Sequence, residues 1–338
     1  MTQIVSKVYH LLGPKDLVMK SETLDTDQLR EHEVIGETHY SAISPGTEYA
    51  AYIGMPPLRP GKVYPRLMGY CHVSQITHTG SQVTNLSPGD MVLTFQSHRT
   101  HVKFQDSDFF IKLPGEHAAK LTPAYLYHLG YHALITGEAR QGHNIGVIGG
   151  GTLGYTSARM SEISGAKTFL FSNIEGLKEK LRMPGCEVLK KSSEALNGVA
   201  DKTHGVGLDI VINTSNLWSD WLFALQLANR GGTIVNMGFP GRGQENPDFN
   251  PLDPRYVYDK QLNIKALNNI NETGLEPYEQ RFNVRRNLEH IIDMILKGKL
   301  NSDNIITDTI HYTELDAQYL KYASRNHYLL STLIQWKN

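Results

Sequence analysis

The rhythm of apolar and polar positions changes twice along the chain. Through the first stretch, short β-like runs recur: VSKVYHLL (5–12), HEVIGETHYSAI (32–43), HVSQITHTG (72–80) and DMVLTF (90–95). Turn signals separate them at Gly13-Pro14, Ser44-Pro45-Gly46, Pro56-Pro57, Pro60-Gly61 and Ser87-Pro88-Gly89-Asp90. Many short strands at this spacing predict a barrel or sandwich-like domain. The period then lengthens: TPAYLYHLGYHALITGEA (122–139) reads as a helix, with Leu126, Leu129, Ala133 and Leu134 recurring at helical spacing. After it, near-continuous apolar runs alternate with helical segments. NIGVIG (144–149) leads into a helix near 152–164, and TFLFSN (168–173) into GLKEKLR. Glu187-Val188-Leu189 is a short third strand, and LDIVINTS (208–215) leads into LWSDWLFALQLANR. GGTIVNMG (231–238) and LNIKAL (262–267) close the series. Such runs between helices predict a doubly wound parallel sheet covered on both faces. The tail carries an amphipathic VRRNLEHIIDMILKGKL (284–300), a strand-like IITDTIHY and a helix near ELDAQYLKYASR, while 240–254 reads as a surface loop.

Composition narrows the class. A length of 338 residues is a soft prior for two domains, and 40% hydrophobic with 20% charged residues is ordinary for a globular protein. No apolar run is long enough to predict a membrane span. The N-terminal MTQIVSKVYHLLGPKD has no basic region followed by a long apolar one, so no secretory leader is expected. With 33 Lys+Arg against 34 Asp+Glu, charge gives no general pull towards nucleic acid or anionic lipid. Two cysteines, Cys71 and Cys186, make neither a disulfide framework nor a four-cysteine zinc lobe. A reducing, cytoplasmic setting is expected. The 15 histidines leave a His-based metal site open.

Gly149-Gly150-Gly151-Thr152-Leu153-Gly154 is G-x-G-x-x-G, between an apolar strand and a helix, with another strand about 20 residues on. In a dinucleotide site, Gly149 makes the tight turn, Gly151 lets a pyrophosphate approach, and Gly154 lets helix and strand pack closely. Backbone N–H groups near Thr152 and Leu153 then face the phosphates from a helix N-terminus. The ribose-reading position at the end of the second strand holds Ser172-Asn173, where an NAD site usually has Asp or Glu. Asn173 does not repel a 2′-phosphate, Ser172 offers a donor, and Lys178 lies one turn on. These residues favour NADP(H) over NAD(H), the alternative being that Asn173 bonds the ribose of NAD.

The chain resembles the medium-chain dehydrogenase/reductase superfamily over nearly its whole length. The likeness rests on Ser44-Pro45-Gly46-Thr47-Glu48, Pro65-Arg66-Leu67-Met68-Gly69-Tyr70, Pro88-Gly89-Asp90, the glycine fingerprint and Arg230-Gly231-Gly232-Thr233-Ile234-Val235-Asn236-Met237-Gly238. A G-T-E turn, GMPPLRPGKVYP and Gly-Tyr in place of Gly-His are similar to the branch containing bacteriochlorophyllide dehydrogenase. The resemblance implies an α/β fold: a GroES-like β-barrel catalytic domain (1–122 and 271–338) and a Rossmann cofactor domain (123–270), with the active site in their cleft. By position, the zinc ligands of that superfamily fall at Pro45, Tyr70 and Tyr125, with Cys71 in place of the glutamate beside the missing histidine. Proline is no ligand and tyrosine a poor one, so the resemblance implies a zinc-independent member. His98-x-x-His101 and His128-x-x-x-His132 have spacings a metal can use, but lack a carboxylate in a known pattern and read as hydrogen-bonded or surface pairs.

Without zinc, the product oxyanion needs another donor. Thr47 matches the proton-relaying hydroxyl of the zinc enzymes, and Tyr70 stands where a ligand would. The expectation is that Tyr70 donates to an enolate or alkoxide, assisted by Thr47; the alternative is that Tyr70 only fills the vacated cavity. Glu48 is expected to brace the loop. Tyr52, Phe95, Tyr125 and His128 are candidate substrate-pocket residues, and Cys71 reads as buried and inert. Thr214, Gly238 and Phe239 end the fourth and fifth strands, where doubly wound sheets bind ligand, and Asn268 follows the sixth. The expected activity is NAD(P)H-dependent reduction of an activated C=C in a small-molecule substrate. Ketone reduction or its reverse is an alternative, and a non-catalytic dinucleotide-binding protein another. The resemblance also implies a homodimer, paired through LNIKAL.

Overall fold

The structure, a computed structural model, describes residues 3–57, 61–181, 183–267, 282–324 and 328–337. The first arm runs β1 (Gln3–Gly13), β2 (Asp16–Asp25), β3 (Glu33–Ala42), α1 (Pro45–Tyr52), β4 (Arg66–Leu67), β5 (Cys71–Thr79), β6 (Met91–Thr94), β7 (His101–Gln105), β8 (Phe110–Leu113) and α2 (Ala118–Leu121). The middle runs α3 (Ala124–Thr136), β9 (Asn144–Ile148), α4 (Thr152–Ile163), β10 (Lys167–Phe171), α5 (Leu177–Leu181), β11 (Cys186–Leu189), α6 (Ser193–Lys202), β12 (Leu208–Asn213), α7 (Trp218–Leu227), β13 (Ala228–Asn236), α8 (Pro254–Val257) and β14 (Asn263–Ala266). The tail adds α9 (Val284–Leu296), β15 (Ile306–His311), α10 (Leu315–Ser324) and β16 (Ser331–Gln335). No described helix is long and apolar enough to cross a membrane.

The chain divides into two units, Met1–Tyr125 with Leu288–Asn338, and Leu126–Asn287. In the first, a mixed sheet has the order β15-β16-β3-β5-β6-β8, with β7 also on β3, and β2-β1-β4 form a second sheet. Register sets what meets at the strand ends. Ala42 pairs with Cys71, His72 with Thr94, and Thr94 with Phe110. The residues just beyond, Ser44, Tyr70, Phe95 and Phe109, therefore gather at one end of β3, β5, β6 and β8.

The second unit holds a six-stranded parallel sheet ordered β11-β10-β9-β12-β13-β14. Phe171 and Asn213 both pair with Ile148, and Asn213 with Asn236, so the carboxyl ends of four strands align. Ile148, Phe169, Phe171, Val211, Trp221 and Ile234 share one buried core with the covering helices.

Two local expectations are corrected. Ser44-Pro45-Gly46 is a helix start: Pro45 takes a first-turn position, and the Glu48 carboxylate accepts the Ser44 N–H at 2.7 Å. LWSDWLFALQLANR stops being helical at Leu227, because Ala228 turns extended and pairs with Leu208. Strand pairing there overrides helix propensity.

Candidate active site

In the second unit the fingerprint glycines have separate steric reasons. Gly149 has φ +112°, and a Cβ there would lie 2.4 Å from Thr214 Oγ1, whose hydroxyl donates to Ile148 O at 2.7 Å. A Cβ on Gly154 would lie 1.8 Å from the Gly149 carbonyl oxygen, so α4 rests directly on the turn. Gly151 is different: it is the N-cap of α4, and a Cβ there would meet nothing within 4 Å. The turn is thus closed by Gly149 and Gly154 and open at Gly151, above the N–H groups of Thr152 and Leu153. It lies where the sheet order reverses, between β10 and β12, the usual ligand position in doubly wound sheets. These residues fit a dinucleotide pyrophosphate.

At the end of β10, Ser172 is buried, accepts the Ile174 N–H at 3.2 Å, and packs against Gly150, where a Cβ would lie 2.6 Å from its Oγ. Asn173 Oδ1 accepts the Lys191 N–H at 3.0 Å, which fixes the amide and makes its other end, Nδ2, a pure donor. Lys178 is exposed on α5. Gly238 packs on Ser215, whose oxygen would lie 2.2 Å from a Cβ. Phe239 is exposed, its N–H bonded to Asn216 Oδ1 at 2.8 Å. Asn268 lies outside the described residues.

In the first unit the Tyr70 hydroxyl bonds to Ser44 Oγ and is also paired with the Thr47 hydroxyl. Burial, above all, raises the Tyr70 pKa well beyond the ordinary tyrosine value, and Cys71 and Glu48 add to it. The side chain is therefore held as a phenol. Glu48 is buried and accepts three donors: the Ser44 N–H, the Tyr319 hydroxyl, and His98 Nε2 at 2.9 Å. His98 Nδ1 pairs with Ser41 Oγ at 2.9 Å, and Ser41 accepts the Trp336 indole N–H at 2.8 Å. Gly69, at φ +87°, lies on the His98 ring, whose atoms would be 2.5 Å from a Cβ. The sequence places Ser44 only in a turn motif and His98 only in a histidine pair; neither reading anticipates their place beside Tyr70 and Glu48.

A run of half-buried rings extends from the hydroxyls. Tyr125 meets Tyr70 edge-on at 5.5 Å, Phe95 meets Tyr125 at 4.8 Å, and Phe109 stacks on Phe95 at 4.8 Å. Phe95 and Tyr125 thus join Tyr70, while two other expected pocket residues do not. Tyr52 is 1% exposed in a core with Tyr319, its hydroxyl donating to Asp316 at 2.8 Å. His128 is 2% exposed in the second unit, beside His132 and Asn287, and burial lowers its pKa to about 3. Both are packing residues, because their helices turn them inward.

The hydroxyls around Tyr70 are poor zinc ligands beside thiolate or imidazole. Cys71, next to Tyr70 in sequence, is 1% exposed, and burial and Glu48 push its pKa well up. Among the described residues no three His, Cys, Asp or Glu side chains gather as a metal site.

No family model matches the chain. A highly reducing polyketide synthase of Penicillium soppii is 25% identical over a 205-residue alignment that covers 56% of this chain and 8% of that much longer protein. Among solved structures, 2R,3R-butanediol dehydrogenase from Bacillus subtilis superposes with a TM-score of 0.79 at 16% identity, covering 98% of this chain and 100% of that one. An Escherichia coli alcohol dehydrogenase in complex with NADH gives 0.78 at 16% identity, covering 98% and 99%. A zinc-binding-type dehydrogenase from Sinorhizobium meliloti, bound to NADP, gives 0.73 at 15% identity, covering 98% and 100%. The chain has the α/β fold of the medium-chain dehydrogenases and reductases, with its mixed sheet and its parallel Rossmann-type sheet.

Proposed function

We propose that this chain is a zinc-independent, NAD(P)H-dependent oxidoreductase that reduces an activated C=C bond, as in an enone, enoyl thioester or quinone. The observation that carries the reading is the Ser44–Thr47–Tyr70 hydroxyl cluster. The dinucleotide supplies hydride when bound. Hydride addition to a conjugated C=C leaves negative charge on the carbonyl oxygen. Tyr70, held as a phenol, stabilises that charge by donating its hydrogen bond. In the resting arrangement Tyr70 donates to Ser44. Rotation of the Ser44 hydroxyl so that it donates to the phenol oxygen frees the Tyr70 hydrogen for the oxyanion, with Thr47 as a second partner. Glu48 holds Ser44 through its backbone N–H.

NADP(H) is the preferred cofactor in this reading. Asn173 Nδ2, the Ser172 hydroxyl and Lys178 are all donors, and a 2′-phosphate is all acceptor. The chain pairs as a homodimer through β14, an end strand of the described sheet with Ile264 40% exposed. Two free, buried cysteines suit the cytoplasm. Neither nucleic acid nor membrane is a partner in this reading; the ligand is a small molecule.

Ketone reduction, or its reverse, is the second reading, favoured by the alcohol and butanediol dehydrogenases among the structural neighbours. A panel of enones and ketones with NADPH and NADH, followed by nicotinamide absorbance, separates the two. Faster turnover of enones supports C=C reduction, and faster turnover of ketones replaces it. Cofactor binding with no turnover across the panel would instead make the protein a dinucleotide-binding sensor or structural subunit. An NADH preference above about tenfold, roughly 1.4 kcal/mol, overturns the cofactor assignment.

A further inference from the structure

The ring run beside the hydroxyl cluster carries information about what the site holds. Tyr70, Phe95 and Phe109 come from the ends of three neighbouring strands, and Tyr125 from the start of α3. Successive centroids are 5.5, 4.8 and 4.8 Å apart, so each ring packs on the next in one half-buried run. All four are half-buried, unlike Tyr52 and Tyr319 in the core of the same unit. Between them these side chains carry two polar atoms, both phenol oxygens, and the Tyr70 oxygen lies at one end of the run. An aromatic surface ending in a few placed donors is the usual build of a small-molecule site. Beyond its hydroxyl end the run is almost entirely aromatic carbon, which suits a flat conjugated group better than a polyol or a carboxylate.

We infer that the substrate is a carbonyl compound conjugated to an aryl or similarly flat apolar group. The carbonyl oxygen sits on Tyr70, and the flat group lies along Tyr125 and Phe95 towards Phe109. The inference rests on the proposed reaction only for setting the carbonyl on Tyr70.

The test is calorimetric binding of two unreactive probes to the full chain with NADP⁺ present: trans-cinnamamide, which is flat and conjugated, and 3-cyclohexylpropanamide, which is saturated and puckered. Cinnamamide is expected to bind roughly tenfold more tightly, the size of one or two aromatic contacts. Phe109→Leu and Phe95→Leu are each expected to cut that preference below about threefold and to change binding of the saturated amide less than about twofold. Urea unfolding checks that each variant is folded, and one folded variant suffices. Equal affinity for the two probes, no binding of either, or an unchanged preference in a folded variant overturns the inference. A protein that binds cinnamamide in this way but reduces no enone or ketone loses the proposed reaction and keeps this ligand class. One that reduces aliphatic enones with no preference for flat probes does the reverse.

Discussion

His98 Nε2 lies 2.9 Å from Glu48 Oε2, and both side chains are sealed from solvent. This contact closes a ring. Glu48 holds the Ser44 N–H, Ser44 Oγ holds the Tyr70 hydroxyl, and Gly69, next to Tyr70 in sequence, lies on the His98 imidazole. Tyr70 is therefore fixed at its phenol and at its backbone by the same two buried residues. Removing one partner of a buried polar pair strands the other. His98→Leu removes one of the three donors to Glu48 and is expected to lower the unfolding free energy by about 1.5–3 kcal/mol. Urea titration measures it, and a loss below about 1 kcal/mol would show that the two residues are not coupled.

Tyr70→Phe removes the donor and leaves the ring against Tyr125. If Tyr70 stabilises the oxyanion, kcat/KM falls at least about tenfold. A fall under about threefold is worth well under 1 kcal/mol and leaves Tyr70 as pocket filling. The pH profile is a second check. A tyrosine at its ordinary pKa would start to lose its proton near pH ~10. Because the Tyr70 pKa is raised, the phenol persists above that pH and kcat/KM should show no falling limb from it. A limb below pH ~10 that vanishes in Tyr70→Phe contradicts the buried-phenol assignment.

The fingerprint allows a paired test. Gly151 has room for a methyl and an allowed backbone, whereas a methyl on Gly154 would run into the Gly149 carbonyl. Gly151→Ala should leave the thermal midpoint within about 2 °C of the parent and weaken dinucleotide binding at least about tenfold. Gly154→Ala should lower the midpoint itself. Equal loss of stability in the two variants would mean that the Gly151 side faces protein rather than ligand.

How far the sequence reaches can be seen in these residues. The strand–glycine–helix pattern sits on consecutive positions, so period and spacing expose it. β2 gives no strand signal because none of its residues is buried and its burial does not alternate. Tyr52 and Tyr70 look alike in sequence, and only partners far along the chain separate them: Asp316 for one, Ser44 for the other. The sequence pairs His98 with His101, whereas its partners are Glu48, Ser41 and Gly69. Those contacts join segments far apart in the chain, and a pattern read within one segment does not name its distant partner.

Two buried histidines couple folding to acid pH. His72 lies between the Thr38 and Thr94 hydroxyls at 2.8 and 3.0 Å, and His128 lies beside His132. Burial lowers both pKa values from 6.5 to about 3, with nearby Arg99 and His98 adding for His72 and His132 adding for His128. In the unfolded chain each binds a proton near its ordinary pKa. Their contribution is therefore fully present above pH 6.5 and is lost as pH falls from there towards about 3. In that window each histidine steepens the decline by up to roughly 1.4 kcal/mol per pH unit. His128→Asn carries no titrating group, so its stability difference between pH ~7 and ~4.5 should be smaller than the parent's by about 2 kcal/mol. Urea unfolding at the two pH values measures both differences. Equal differences would mean that His128 takes up its proton within the folded protein, and that Asn287 and His132 accommodate the charge.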